Sequence, residues 1–174
     1  MEEPQTYTVL VVEDDKHTAE LLSYNLTEAG FHVFQAHDGV DALKKLDIVT
    51  VDLIICDIMM PQMDGFATCR ALRQTPGGEH TPVVMVTGLE DAETITSAFD
   101  AGATDFISKP INMLILGYRV RYWLRSGAIL GDLKRSQERL FKAQEIARLG
   151  HWELHLDSGR FQISAQEPAQ FGIT

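Results

Sequence analysis

Four separated stretches of this 174-residue chain carry residues suited to a shared chemistry: Glu13-Asp14-Asp15, Asp57, Thr87 and Lys109. Each has a structural reading by itself, since an Asp at a strand end commonly serves as a turn residue or helix N-cap. Brought together, they are a set of carboxylates, a hydroxyl and an ammonium. Crowded carboxylates raise one another's pKa, and a hard divalent ion such as Mg²⁺ relieves the repulsion with an octahedral shell of carboxylate, carbonyl and water oxygens. Lys109 adds a positive point charge and Thr87 a hydrogen-bond donor, a combination that suits a phosphoryl group attached to Asp57.

These residues must be positioned by the chain around them. The apolar, partly β-branched run 51–57 ends abruptly at Asp57 and is followed by Pro61 and Gly65. A run of that length bounded by turn residues predicts a strand buried on both faces of a parallel sheet. Residues 7–12 form a second such run, which ends in Glu13-Asp14-Asp15, and 31–36 a third. Residues 81–87 make a fourth strand with Pro82 near its start, where the missing donor does least harm, and 103–107 a fifth before Ser108-Lys109-Pro110.

Helical spacing fills the intervals. Ala19, Leu22 and Leu26 recur between Lys16 and Ala29, with Gly30 as a stop; Asp38 can cap a helix through Leu46 with Val40, Leu43 and Leu46 inward. Asp64 can cap a helix carrying Phe66, Cys69 and Leu72, and residues 91–101 form another that stops at Gly102. Strands alternate with helices five times, which predicts a doubly wound five-stranded parallel sheet with helices on both faces. In such sheets ligands bind beyond the carboxyl ends of the strands, so Glu13, Asp14, Asp57, Thr87 and Lys109 are expected at one edge.

Composition bounds the remaining possibilities. The chain is 45% apolar and has no uninterrupted apolar stretch of membrane-spanning length, so a globular protein without a membrane contact is expected. Residues 1–6 lack a basic start followed by an apolar stretch, which predicts a cytoplasmic protein. Up to Ser126 there are 19 acidic and 9 basic residues, whereas 127–174 hold 6 of each. An acidic first domain disfavours direct binding to nucleic acid, which requires Lys and Arg against phosphates. Cys56 and Cys69 have no metal-ligand spacing and read as reduced, packed side chains.

From Ile111 the helical pattern runs on to Leu149 without a proline. Leu130, Leu133, Gln137, Leu140, Gln144 and Ala147 follow a three-four spacing, which predicts a dimeric coiled coil weakened by its two glutamines. Beyond it, Trp152, Leu154 and Leu156 alternate, residues 157–160 can turn, and Phe161 and Ile163 alternate again, as in a β-hairpin. His151 and His155 match no usual metal spacing. A lone hairpin is marginal in water, so the chain is expected to end inside a second domain.

Glu13-Asp14-Asp15, the stretch from Asp57 through Pro61 to Gly65, Thr87-Gly88, and Phe106-Ile107-Ser108-Lys109-Pro110 together resemble the receiver (CheY-like) domain of bacterial two-component response regulators, a flavodoxin-like fold, over about residues 6–126. That resemblance implies that Asp57 accepts a phosphoryl group from a sensor histidine kinase or phosphotransfer protein. Asp14 would ligate Mg²⁺ directly, Glu13 through water, and the Met59 carbonyl would complete the protein ligands, with Asp15 in a third, less constrained acidic position. Thr87 and Lys109 would hold the phosphoryl oxygens and Phe106 would be the aromatic switch. Residues 143–160 are similar to the opening of a PAS domain, where a helix leads into two strands.

The expected organisation is therefore a receiver over 1–126, a helical linker over 127–149 that joins two copies, and a truncated PAS start over 150–174. It would be a phosphoacceptor rather than an enzyme, any output enzyme lying outside this chain. A haloacid dehalogenase needs a second acid two residues after its nucleophile, where Met59 stands. A flavodoxin-like cofactor binder needs a phosphate loop after the first strand, where Glu13-Asp14-Asp15 would repel the ligand. The remaining alternative is a degenerate receiver acting only as a dimerisation and protein-interaction module.

Overall fold

A computed structural model of the chain describes residues 6–75, 77–88, 92–146, 151–155 and 160–164. It divides into two units, Met1–Ala128 and Ile129–Thr174. In the first, strands β1 (Thr8–Val12), β2 (His32–Ala36), β3 (Leu53–Asp57), β4 (Val83–Thr87) and β5 (Asp105–Ser108) form a parallel sheet in the order β2-β1-β3-β4-β5. Helices α1 (Lys16–Glu28), α2 (Gly39–Leu46), α3 (Gly65–Arg73) and α4 (Ala92–Asp100) connect them, and α5 (Met113–Ile146) follows the last strand.

The alternation of side chains along each strand sorts the apolar residues into two cores. Val9, Val11, Leu53, Ile55, Val84 and Val86 pack with Leu22 and Leu26 of α1 and with Leu116, Val120, Trp123 and Leu124 of α5. Leu10, Val12, Ile54, Cys56 and Met85 pack on the other face with Ala42, Cys69, Leu72 and Ala98 from α2, α3 and α4. Every residue of β3 and β4 is buried, as the unbroken apolar runs require. Both cysteines are free and buried.

Asp38 and Asp64 cap α2 and α3 by accepting from the backbone N–H groups of Asp41 and Ala67. Gly30 and Gly102 adopt positive φ where α1 and α4 end, the left-handed stop expected of them.

The inward face of α2 departs from the spacing argument. Its fully buried residues are Gly39 and Ala42; Leu46 packs against the core as expected, while Val40 and Leu43 are only half-buried. A Cβ at Gly39 would lie 1.9 Å from Thr68 Oγ1 and 2.7 Å from Met63 Cγ, so α2 approaches its neighbour too closely for branched side chains to point there. Strand β5 begins at Asp105 rather than residue 103.

In the second unit, β6 (His151–His155) and β7 (Arg160–Ser164) pair antiparallel, with Trp152 opposite Ile163 and Leu154 opposite Phe161. That register fits the expected hairpin. Ala147, Leu149, Leu156 and residues 157–159 of the expected turn at 157–160 lie outside the described residues, as do the side chains of Leu130, Leu133, Leu140 and Gln144. Among the described residues no helix is long and apolar enough to cross a membrane.

Candidate functional site

The carboxyl ends of β1, β3, β4 and β5 converge on one acidic cluster. Glu13 follows β1, and its backbone N–H donates to the Ala36 carbonyl of β2 at 3.0 Å, so it is held as a continuation of the sheet. Asp57 is the last residue of β3, 5% exposed, in register with Val86 of β4. Thr87 ends β4 and is buried, and Lys109 follows β5, its backbone N–H donating to the Thr87 carbonyl at 2.7 Å. The Lys109–Pro110 peptide is cis.

The side chains meet as the residue types predict. Lys109 Nζ lies 2.8 Å from Asp57 Oδ2 and 3.2 Å from Glu13 Oε2, bridging the two buried carboxylates. One carboxylate oxygen each from Glu13, Asp14 and Asp57 falls within 4.8 Å of the others, with Asp14 on the exposed side. Met59 donates its backbone N–H to Asp57 Oδ1 at 3.5 Å, and its side chain is 69% exposed at the rim.

The electrostatics follow from this crowding. Burial and the neighbouring Asp57 charge push the Glu13 carboxyl above its usual range, only partly offset by Lys109 and by the hydrogen bond from the Asp15 N–H. Burial works against the charge on Lys109, but the hydrogen bond to Asp57 and the charges of Asp57 and Glu13 outweigh it and raise its pKa. Three carboxylates facing one ammonium leave a surplus of two negative charges, the charge a divalent cation carries. Their hard oxygen donors are those Mg²⁺ takes.

Asp15, in the third and less constrained acidic position, also serves as a helix cap. Its side chain accepts from the Thr18 backbone N–H at 2.7 Å and caps α1, and hydrogen bonds from Thr18, its side chain first and then its backbone N–H, hold the carboxyl below the usual range. It touches the site through its backbone alone, by donating to Glu13 Oε1 at 3.2 Å.

Gly65 is a site residue that sequence reasoning noted only as a loop boundary. A Cβ there would sit 2.4 Å from the Asp57 carbonyl oxygen and 2.9 Å from Ile58 Cα, so the loop can fold back under Asp57 only with glycine. Its N–H donates to the Ile58 carbonyl at 3.0 Å. The Asp64-Gly65 pair, a cap followed by a residue with no side chain, was the available signal.

Phe106 lies on β5, half-buried, its ring edge-on to Phe99 with centroids 6.2 Å apart. Leu89, two residues after Thr87, is outside the described residues.

A family model described as the response regulator receiver domain matches residues 9–121. The chain belongs to the response regulator receiver family. It is 36% identical over 129 residues to the response regulator PleD of Caulobacter vibrioides, covering 74% of this chain and 28% of PleD. It is 38% identical over 124 residues to the response regulator MprA of Mycobacterium ulcerans, covering 71% of this chain and 53% of MprA. This receiver chain thus spans about half the length or less of these relatives. Among solved structures, a putative response regulator from Chloroflexus aurantiacus superposes with a TM-score of 0.66 at 36% identity, covering 70% of this chain and 99% of that one. The acidic trio Glu13, Asp14 and Asp57 is of the kind that forms the Mg²⁺ site of a receiver.

Proposed function

We infer that this receiver takes a phosphoryl group from a histidine kinase or phosphotransfer protein onto Asp57. The observation that carries the reading is the buried Asp57 carboxylate, placed 2.8 Å from Lys109 Nζ and within reach of Glu13 and Asp14 oxygens at the open end of the sheet.

One carboxylate oxygen of Asp57 attacks the donor phosphorus, and the donor's bond to phosphorus breaks as the new P–O bond forms. Mg²⁺ held by Asp14, Asp57 and the Met59 carbonyl, with Glu13 reaching it through water, would neutralise the repulsion between the attacking carboxylate and the anionic donor. Lys109 transfers its hydrogen bond from Asp57 to a phosphoryl oxygen, and the Thr87 hydroxyl donates to another. Phe106 turns inward as Thr87 is drawn toward the phosphoryl group. The change leaves the receiver along α5, which pairs with a second copy through Leu133 and Leu140 and leads to the start of a PAS domain. With Asp57, Lys109 and the acidic trio all in place, a role restricted to protein interaction has no observation in its favour.

The test is intact mass after incubation with Mg²⁺ and acetyl phosphate. The parent should gain one phosphoryl group and Asp57→Asn none, with an unchanged circular dichroism spectrum. Equal gain in Asp57→Asn would remove Asp57 from the reaction.

A further inference from the structure

Sulfur is unevenly placed around the phosphoacceptor site. Cys56 precedes Asp57 in β3 and Cys69 lies on α3; both thiols are buried, and burial pushes their pKa up, away from the reactive thiolate. Among the described methionines, Met85 is fully buried and Met60 and Met113 are half-buried against the two cores. Met63 is half-buried beside Gly39, where a Cβ would lie 2.9 Å from its Sδ. Met59 is different. Its side chain is 69% exposed, and its backbone N–H lies 3.5 Å from Asp57 Oδ1. The thioether that solvent reaches most freely is thus carried two residues from the buried carboxylate that would bear the phosphoryl group.

A hydroperoxide oxidises an exposed thioether directly. A sulfur lone pair attacks one peroxide oxygen, the O–O bond breaks as the S–O bond forms, and the proton of the transferred hydroxyl passes to the departing hydroxide, which leaves as water. Sulfur is oxidised by two electrons and the peroxide is reduced by two. The product is a sulfoxide, which converts a flexible apolar side chain into a polar one. A thioether is a weak acceptor, so unmodified Met59 offers little hold to a water, whereas its sulfoxide oxygen offers a strong one beside Asp57. The Met59 backbone, whose carbonyl the phosphoacceptor reading assigns to Mg²⁺, is not altered by the reaction.

We propose that Met59 is an oxidation site at which hydrogen peroxide, by forming a single sulfoxide, shortens the lifetime of the phosphoryl group on Asp57. The effect on lifetime rests on the phosphoacceptor reading; the site of oxygen transfer does not. The sulfoxide oxygen accepts a hydrogen bond from a water and holds it near the phosphorus, which the apolar side chain cannot do. Methionine sulfoxide reductase chemistry returns the thioether, so the change is reversible. The competing reading is an oxidation that leaves the attacking water as it was.

The 174-residue chain is treated with dilute hydrogen peroxide under folding conditions, and peptide mass spectra locate the first oxygen atom gained. Reduced and oxidised samples are then phosphorylated with acetyl phosphate and Mg²⁺, the donor is removed, and intact mass follows the loss of the phosphoryl group. Met59 should take its oxygen ahead of Met60, Met63, Met85 and Met113. Oxidised chains should lose the phosphoryl group about fivefold faster than reduced ones, the factor that one net hydrogen bond supplies, and a methionine sulfoxide reductase should restore the slower rate. Met59→Leu, compared with itself before and after peroxide, should show no change in decay. First oxidation at another of these methionines, or an unchanged decay once Met59 carries its oxygen, would overturn the proposal. So would a peroxide response that persists in Met59→Leu. No phosphoryl gain in the reduced parent would overturn the phosphoacceptor reading, and with it the effect on lifetime, while the peptide spectra would still report where oxygen had been placed.

Discussion

Lys109 Nζ stands 2.8 Å from Asp57 Oδ2 although 52 residues separate the two in the chain. The contact joins a strand whose five residues are all buried to the residue that follows the edge strand of the sheet, so this ion pair helps to hold the acidic cluster together. Lys109→Met removes the ammonium from two buried carboxylates. Loss of a partner from a buried pair is costly, but Lys109 is about one-third exposed, which moderates the effect to about 1–2 kcal/mol. Urea denaturation without metal should show that loss, and millimolar Mg²⁺ should restore much of it. Equal stability of variant and parent without metal would mean that solvent already screens the pair.

Glu13 provides the pH test. Its folded pKa is raised above the unfolded one, so the folded protein holds this proton more tightly, and Glu13 costs stability at neutral pH. That cost disappears as the pH falls through the raised folded value toward the ordinary carboxylate range. Lys109 has the opposite bearing: its raised pKa contributes stability that is fully present below the ordinary lysine range and is lost as the pH climbs through the folded value. Glu13→Gln should therefore raise the metal-free Tm at pH 7, flatten its rise toward mildly acidic pH, and weaken protection by Mg²⁺. A lower metal-free Tm in this variant would contradict the sign.

Gly65→Ala places a methyl group 2.4 Å from the Asp57 carbonyl oxygen, and backbone on both sides leaves little room to yield. A loss of about 2–4 kcal/mol is expected, as for other steric conflicts with buried backbone. Thermal denaturation gives the stability, and the phosphoryl uptake of whatever remains folded should fall as Asp57 is displaced. A substitution tolerated at both levels would show that the loop can shift without cost.

Met59 stands beside Asp57 with an exposed, apolar side chain that cannot orient a water for attack on a phosphoryl group. Slow spontaneous loss of the phosphoryl group is expected, and a Met59→Asn, Leu89→Glu double variant should lose it faster, by about tenfold if one positioned water is gained. The decay of the phosphorylated mass after donor removal measures this directly. Unchanged decay would place the control of hydrolysis elsewhere.

If α5 pairs two copies as proposed, light scattering should find the parent dimeric, and charge at both Leu133 and Leu140 should leave a monomer whose Asp57 still gains a phosphoryl group. A chain that stays dimeric with these two substitutions pairs through another surface.

Several elements were legible because one local rule dominated each. The unbroken apolar runs of β3 and β4 announce strands buried on both faces, and Asp38 and Asp64 cap the helices that follow them. The convergence of Glu13, Asp57 and Lys109 followed from placing strand ends at one sheet edge. What escaped were relations that periodicity does not encode. Asp15 reads as one more acid in a triplet, and only the α1 backbone reveals it as a cap. Spacing favoured Val40, Leu43 and Leu46 for the inner face of α2; Leu46 does pack on the core, but the close approach of Thr68 gives the fully buried positions to Gly39 and Ala42. The bond from Trp123 to Asp105 joins two elements 18 residues apart and leaves no mark in either one's pattern.

The side chains that fasten β5 to α5, Asp105 to Trp123 and Arg119 to the Phe106 carbonyl, decide what this edge of the sheet can accept from outside. A parallel or antiparallel strand docking there would need the Phe106 N–H and carbonyl, and Asp105 and Arg119 already occupy both. Templated addition of another chain, the opening step of cross-β aggregation, is blocked at that point by two charged residues. Asp105→Ala or Arg119→Ala should therefore shorten the lag of fibril formation under mild destabilisation, a consequence for solubility.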